Sequence, residues 1–176
     1  MRDNRFRITV FVTFLLLTRL AEAIEFAGGT GSQADPYLIA TPEQLIAITP
    51  AGSIVDGRPN SSLWAKHFAL VADIDLDPDL PGGMIFPRSI LSLTTGSLDG
   101  RGHKIVNLRI VSDHGRTTGS SSFGADAIVR NVSFEQVAVE GESAILTSTN
   151  EGYIANCTVE GSACGVGLVL ENRGHI

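Results

Sequence analysis

The sequence is poor in cysteine, with only two among its 176 residues, Cys157 and Cys164. Two thiols at this separation do not match the ligand spacing of a structural metal site. Cys157 also occupies an apolar position that Leu108 and Val132 fill in two similar segments. A small buried hydrophobic side chain is therefore the expected role of Cys157, in preference to a disulfide or a metal ligand.

Positive charge is also scarce, because 13 Lys and Arg residues stand against 19 Asp and Glu residues, giving a net charge of −6. Removal of residues 1–23, which hold four basic and two acidic residues, would leave a net charge of −8. A chain of this sign is not expected to bind nucleic acid or an anionic membrane surface. Pectate and similar polyanions are disfavoured for the same reason, unless calcium bridges the two.

A long apolar run occurs only at the N-terminus. Basic residues at positions 2, 5 and 7 precede the apolar residues 8–17, and residues 21–23 read Ala-Glu-Ala. This order is typical of a secretory signal peptide, so we expect residues 1–23 to direct export to the cell surface or the medium. An uncleaved N-terminal anchor is the alternative, because Arg19 lies between the apolar run and the cleavage site. No membrane span is expected after signal removal.

Three segments in the second half of the chain share one pattern of apolar residue, any residue, Asn, apolar, polar and apolar residue: residues 105–110, 129–134 and 154–159. Their asparagines recur at a nearly constant interval. The alternation within each segment indicates strands, and strand units that recur at a short, regular interval are typical of a solenoid. We therefore predict an all-β fold, a single-stranded parallel β-helix whose coils occupy residues 67–176.

The asparagine in each segment has a physical reason to recur. Asn tolerates the left-handed backbone region, so Asn107, Asn131 and Asn156 can each turn the chain between two strands. Stacked coils lie about 4.8 Å apart, which lets each amide donate to the asparagine of the next coil. The sequence thus predicts one continuous ladder of the three asparagines.

Residues 24–66 are predicted to form an N-terminal strand and a capping helix. A Gly-rich stretch leads to a short apolar strand, and a helix over residues 42–49 follows. Thr41 suits the N-cap, Pro42 suits the first helical position, and Gln44 completes a capping box. We expect this helix to cover the open first coil of the solenoid.

Four segments resemble the N-terminal module of bacterial exported proteins that carry GLUG repeats: residues 26–31 (Phe-Ala-Gly-Gly-Thr-Gly), 34–45 (Ala-Asp-Pro-Tyr-Leu-Ile-Ala-Thr-Pro-Glu-Gln-Leu), 67–76 (His-Phe-Ala-Leu-Val-Ala-Asp-Ile-Asp-Leu) and 98–108 (Leu-Asp-Gly-Arg-Gly-His-Lys-Ile-Val-Asn-Leu). Residues 166–176 are similar to the GLUG motif itself, except that Leu170 stands where glycine is common. The resemblance implies a right-handed parallel β-helix of pectate-lyase-like architecture in a secreted or surface-attached protein. It implies adhesin-like roles, or a place beside a catalytic domain such as an immunoglobulin-cleaving metalloprotease, and it brings no catalytic residue to this chain.

The last residues look like the start of another coil. Residues 174–176 (Gly-His-Ile) repeat residues 152–154 (Gly-Tyr-Ile), which open the third asparagine segment. The C-terminal coil is therefore expected to be incomplete, as in a truncated solenoid. Because an unfinished coil exposes apolar side chains and strand edges, we expect further coils or another chain to cover this end.

An acidic stripe is the candidate metal site. Residues 67–76 are predicted to form one strand, with Asp73, Asp75 and Asp77 on its solvent face and Asp79 beyond it. Their carboxylates would lie about 7 Å apart on one outer face, where calcium could bind. An EF-hand is excluded, because Leu80 stands where its loop requires glycine. A solvated strand face that discourages edge pairing is the alternative. No other cofactor is expected.

Candidate catalytic residues cluster around Asp99. This carboxylate could pair with one from the acidic stripe for glycoside hydrolysis, with His103 as acid or base. Arg101 and Lys104 are the nearby basic residues that a β-elimination would need. The same stretch, residues 99–102, equally predicts a simple turn.

Two classes of function follow. The first is an exported non-catalytic β-helix module for cell-surface display, adhesion or spacing, with carbohydrate or a host or cell-surface protein as its partner. The alternative is a polysaccharide lyase or hydrolase, or the non-catalytic part of a larger exported enzyme such as a protease. The first is favoured, because no candidate catalytic residue is distinguished by spacing from a structural one.

Overall fold

The computed structural model describes residues 25–52, 54–55, 58–59, 61–112, 121–163 and 167–176. Within these ranges the chain is a parallel β-solenoid of about four turns with one short α-helix. The predicted fold class is therefore confirmed. The predicted signal peptide lies outside the described residues, and the helix found within them is too short to cross a membrane.

In chain order the elements are β1 (Tyr37–Ile39), α1 (Pro42–Ile48), β2 (Ile54–Val55), β3 (Arg58–Pro59), a 3₁₀ turn (Ser61–Leu63), β4 (His67–Leu70), β5 (Ile74–Asp75), β6 (Ile85–Phe86), β7 (Ser97–Asp99), β8 (Lys104–Val106), β9 (Arg109–Val111), β10 (Ser122–Phe123), β11 (Ile128–Arg130), β12 (Ser133–Glu140), β13 (Thr147–Asn150), β14 (Tyr153–Ala155), β15 (Thr158–Ala163) and β16 (Val169–Asn172).

Three parallel sheets run along the solenoid. The first sheet has the order β1-β4-β7-β11-β14, and the third has the order β10-β13-β16. The second sheet has the order β5-β8-β12-β9-β6, with β15 also paired to β12. Strands β2 and β3 form a separate antiparallel pair. From β7 onward, the chain therefore passes through the first, second and third sheets in turn before it returns to the first.

The long strand β12 occupies the positions that two strands, β8 and β9, occupy in the preceding coil. Its first part pairs with β8 and its last part pairs with β9. Between them Gln136 has a φ of 54°, and the pairing with β15 shifts register there. The corner that separates β8 from β9 thus persists as an irregularity within β12.

Inward-facing side chains of the first sheet stack to form the core. Phe68, Leu98 and Val129 are register partners in β4, β7 and β11, and none is more than 1% exposed. Phe86 and Phe134 are fully buried on the side of the second sheet. Burial of each such side chain contributes about 1.5–3 kcal/mol. Stacked apolar rows are therefore the main force that holds consecutive coils together.

Helix α1 begins with the predicted capping box. The side chain of Thr41 accepts a hydrogen bond from the Gln44 backbone amide, and the side chain of Gln44 accepts one from the Thr41 backbone amide, both at 3.3 Å. Leu45 and Ile48 of the helix belong to the buried core. The helix also contacts β5, which is the edge strand of the second sheet. It thus lies where a cover of the first coil is needed.

The strand register shows that the three asparagines do not form the one continuous ladder that the sequence predicted. Asn131 and Asn156 follow the first-sheet strands β11 and β14, and Asn156 Nδ2 donates to Asn131 Oδ1 at 3.2 Å. Asn107 instead follows the second-sheet strand β8, and Gln136 occupies the equivalent corner of the next coil. The asparagines therefore form one pair at the first corner and a single residue at the second corner.

The three asparagines look equivalent in the sequence because the corner after a first-sheet strand and the corner after a second-sheet strand need the same local conformation. Asn107, Asn131 and Asn156 have φ values of 57°, 57° and 51°, which confirms the predicted left-handed turn at each. The first-sheet strands, however, begin at unequal intervals along the chain, and β14 follows β11 sooner than β7 follows β4 or β11 follows β7. The interval between Asn107 and Asn131 is shorter than all of these, so it is not the length of a coil.

Two further predictions concern the last coils. Cys157 is a free thiol, half-buried against the core, and burial raises its pKa. Cys164 lies outside the described residues.

His175 forms a parallel bridge with Tyr153, and the Ile154 amide donates to the His175 carbonyl at 2.9 Å. Residues 174–176 therefore take the place of a further first-sheet strand, as their sequence predicts.

Candidate functional site

A groove of about 510 Å³ lies across the outer face of the first sheet. Because side chains alternate along a strand, the inward position of Phe68 turns His67 and Ala69 outward. Ser97 and Asp99 of the next strand take the same outward positions by register. The core alternation of the first sheet thus creates two outward rows of side chains, which form the floor of the groove.

One wall of the groove is the Gly-rich loop before β1. Gly29 and Gly31 have φ values of 82° and 74°, and a Cβ on Gly29 would lie 1.9 Å from the Pro36 carbonyl oxygen. The Gly31 carbonyl accepts a hydrogen bond from the His67 amide at 3.1 Å. These glycines therefore allow the loop to fold tightly onto the sheet and to place Gln33 at the rim.

Asp99 is the most constrained charged residue of the groove. Its Oδ1 accepts hydrogen bonds from the Arg101 amide at 2.9 Å and from Asn131 Nδ2 at 3.0 Å. Its Oδ2 accepts from Arg130 Nε at 3.0 Å, with Arg130 Nη2 at 2.9 Å. Burial raises the pKa of Asp99, but these hydrogen bonds outweigh it and hold the pKa below its usual value. Asp99 is therefore an ionised anchor at neutral pH and unsuited to act as a general acid.

We expect Asp99→Asn to be destabilised at about pH 7 and to be less destabilised at about pH 2.5. The folded pKa of Asp99 is lowered, so its contribution is present above the unfolded pKa of about 3.9 and is lost as the pH falls through the folded value. Thermal unfolding of both proteins at the two pH values measures the difference. Asp79→Asn, at an exposed loop position, is the control and should change little at neutral pH. An Asp99→Asn deficit that persists unchanged in acid would contradict this assignment.

His67 and Ser97 form a contact that sequence reasoning missed. His67 Nδ1 lies 2.9 Å from Ser97 Oγ, and the two are register partners in β4 and β7. A serine–histidine pair could activate a nucleophile, but within the described residues no carboxylate bonds to His67 to orient it. The pair is therefore a cross-strand hydrogen bond on the groove floor. Alignment of segments one full coil apart could have found it, whereas the sequence repeat suggested a shorter interval.

The other predicted catalytic residues separate into two places. Arg101 lies at the groove with Asp99, and it forms part of the predicted turn with a φ of 53°. His103 Nδ1 instead lies 3.0 Å from Asp73 Oδ1, and Lys104 Nζ lies 2.7 Å from Glu135 Oε1. Asp99 and Arg101 thus lie together at the groove. His103 and Lys104 lie outside it and pair with Asp73 and Glu135.

The acidic stripe does not lie on a single strand. Residues 67–76 are divided into β4 and β5 by a bend, so the predicted continuous strand is wrong. The reason is that a coil corner falls between the two strands. Asp75 and Asp77 accordingly bind neighbouring backbone, because Asp75 Oδ1 accepts from the Asp77 amide and Asp77 Oδ1 accepts from the Asp79 amide, both at 3.0 Å.

Asp73 and Asp75 are also tied to the next coil. Asp73 Oδ1 accepts from the Lys104 amide at 3.0 Å; this bond and the contact with His103 lower the pKa of Asp73. Asp75 Oδ1 accepts from Asn107 Nδ2 at 2.8 Å. Among the residues that the structure describes, no group of three or more His, Cys, Asp or Glu side chains could hold a metal ion. Calcium binding by Asp73, Asp75 and Asp77 stays a prediction from the sequence.

Two known proteins are similar in sequence to most of this chain. No known protein family and no solved structure matches it. A Gly-rich membrane protein of Evansella cellulosilytica is 32% identical over 163 residues, which cover 86% of this chain and 18% of that protein. Halomucin of Haloquadratum walsbyi is 29% identical over 154 residues, which cover 78% of this chain and 2% of halomucin. The chain thus spans less than a fifth of either relative. The resemblance to GLUG-repeat proteins rests on the sequence of residues 26–31, 34–45, 67–76, 98–108 and 166–176 alone.

Proposed function

We propose that the chain is an exported, non-catalytic β-solenoid module that serves display, adhesion or spacing at the cell surface. The observation that carries this proposal is the use of outward polar side chains to join consecutive coils. A solenoid stabilised between neighbouring coils is an extendable structural unit.

The coil-to-coil contacts occur on both the first and second sheets. Asp99 pairs with Arg130 across one coil boundary at the first sheet. Arg109 and Glu140 lie 3.1 Å apart across the same boundary at the second sheet. Thr158 Oγ1 donates to Ser133 Oγ at 2.9 Å across the following boundary. Exposed pairs of this kind contribute only about 0–1 kcal/mol each, so we infer that they mainly fix the register of the coils.

The relatives support a setting at the cell surface without specifying a role. One is named as a membrane protein and the other as a halomucin. Both names are compatible with a β-solenoid module displayed outside the cytoplasm, and the N-terminal sequence pattern supplies a route for export.

Export is expected to depend on the apolar N-terminal run. The full chain with a C-terminal epitope tag should leave the cytoplasm of a bacterial host and lose a mass equal to residues 1–23. Leu15→Asp combined with Leu16→Asp should keep the unprocessed chain inside, because charge disrupts the apolar region that the export machinery reads. Cell fractionation and intact-mass measurement give the result. Cytoplasmic retention of the unaltered chain would contradict the proposal.

The catalytic alternative is tested with the same secreted protein. Acidic and neutral polysaccharides are incubated with it, with and without Ca²⁺, and the release of reducing ends or unsaturated products is measured. We expect no turnover by the chain itself, because the Asp99 carboxylate is fully occupied by donors. Turnover that Asp75→Asn or Asp99→Asn abolishes would replace the structural role with an enzymatic one.

A further inference from the structure

We propose that the groove on the outer face of the first sheet binds an uncharged oligosaccharide segment. This proposal goes beyond a structural role and does not depend on it, because it assigns a ligand class to particular residues. The groove volume of about 510 Å³ falls within the range of about 300–1,000 Å³ that is usual for small-ligand sites.

The charges that line the groove cancel. Arg101 and Arg130 supply two positive charges, and Asp99 and Asp126 supply two negative charges. Asp99 and Arg130 already neutralise each other at 2.9 Å. A ligand with a net charge would therefore gain no net electrostatic attraction in the groove to offset the loss of its hydration, and this cost is much smaller for an uncharged polar ligand.

The remaining surface alternates apolar floor with polar edge. Half-buried Ile128 supplies apolar surface on the floor, and Ser97 and Thr95 add hydroxyl groups beside it. A sugar ring has the matching character, because its faces carry C–H groups and its rim carries hydroxyl groups. Polar and apolar surface contribute about equally to the lining of the groove, and placed polar groups of this kind fix a small ligand in orientation.

The Arg130 guanidinium is held in place by Asp99 before any ligand binds. Its Nε and Nη2 atoms bond to Asp99, and Asp99 is itself fixed by Asn131 and by the Arg101 amide. The rest of the Arg130 guanidinium still carries N–H donors. Because the side chain is already ordered, a ligand that accepts from these donors loses less conformational freedom on binding.

Arg101 provides the second and independent argument. It is exposed and has a φ of 53° between Gly100 and Gly102, a backbone region that favours glycine. Its backbone amide serves Asp99, but its side chain makes no hydrogen bond or ion pair within the described part of the chain. The turn alone would be better served by a third glycine. The Arg101 side chain lines the groove, is exposed and has no partner in the described part of the chain, so it is available to contact a ligand.

The test measures binding of defined trisaccharides to the purified chain by isothermal titration calorimetry. Mannotriose, cellotriose and triacetylchitotriose are the uncharged probes, and trigalacturonate is the acidic probe. Arg101→Gly removes the side chain and relieves the left-handed strain. Gln136→Gly is the matched control, because Gln136 is also exposed with a φ of 54° but lies on the second sheet, outside the groove. Thermal unfolding should show that neither variant is less stable than the wild type.

We expect at least one uncharged trisaccharide to saturate the protein below about 10 mM, the range of a weak but specific site. Arg101→Gly should weaken that binding by about tenfold or more, and Gln136→Gly should leave it unchanged. Three results would overturn the proposal: no saturation by any uncharged probe, tighter binding of trigalacturonate, or equal binding by the two variants. Export of the chain is unaffected by each of these results, so the proposed surface role is judged separately.

Discussion

Phe134→Ala is expected to lower the free energy of unfolding by about 3–5 kcal/mol. Phe134 is fully buried in β12, where its register partners are Ile105 of β8 and Val159 of β15. It therefore belongs to two consecutive coil boundaries at once. Removing the ring would cost its burial and would leave a cavity that stacked strands cannot close, because their spacing is set by backbone hydrogen bonds.

The measurement is equilibrium unfolding in urea, followed by circular dichroism. Leu80→Ala is the control, because Leu80 is 48% exposed in the loop after β5 and its replacement should change stability by no more than about 0.5 kcal/mol. A loss at Phe134 no larger than that at Leu80 would show that the stacked core is not the main source of stability.

Asn131→Ala is the second substitution with a large expected effect, a loss of about 2–4 kcal/mol. Asn131 has a φ of 57°, and an alanine in this left-handed region costs about 1–2 kcal/mol. Its side chain also donates to Asp99 Oδ1 and accepts from Asn156 Nδ2. Each lost hydrogen bond removes about 1 kcal/mol. The substitution thus damages the corner and two coil boundaries together.

Asn131→Gly separates the two causes, because glycine keeps the left-handed backbone and loses only the hydrogen bonds. Urea unfolding should place it between the wild type and Asn131→Ala, at a loss of about 1–2 kcal/mol. Asn156→Ala, which removes a single donor to Asn131 together with the left-handed asparagine, should be less harmful than Asn131→Ala. If Asn131→Gly equals the wild type, the side-chain contacts of Asn131 contribute nothing to the stability of the solenoid.

Features that depend on neighbouring residues could be predicted from the sequence. The capping box of Thr41 and Gln44 is confirmed, because the residues of a helix start lie within one turn of each other. The left-handed turns at Asn107, Asn131 and Asn156 are confirmed for the same reason. The residues of the groove were predicted only in part. The sequence indicated Asp99 and Arg101 as candidates, but not His67, Ser97, Arg130 or Asp126.

The sequence by itself determined the class of fold, through strand alternation and a recurrent turn residue, and it determined the start of the capping helix. Only the tertiary structure decided which corner each asparagine occupies, and that Asp99 rather than Asn107 lies beside Asn131. It also decided that the outward residues of β4, β7 and β11 share one groove. The physical reason is that a turn conformation is local, whereas the register between coils depends on how many residues each corner and loop absorbs. Those lengths differ from coil to coil, and backbone pairing between distant segments sets the match.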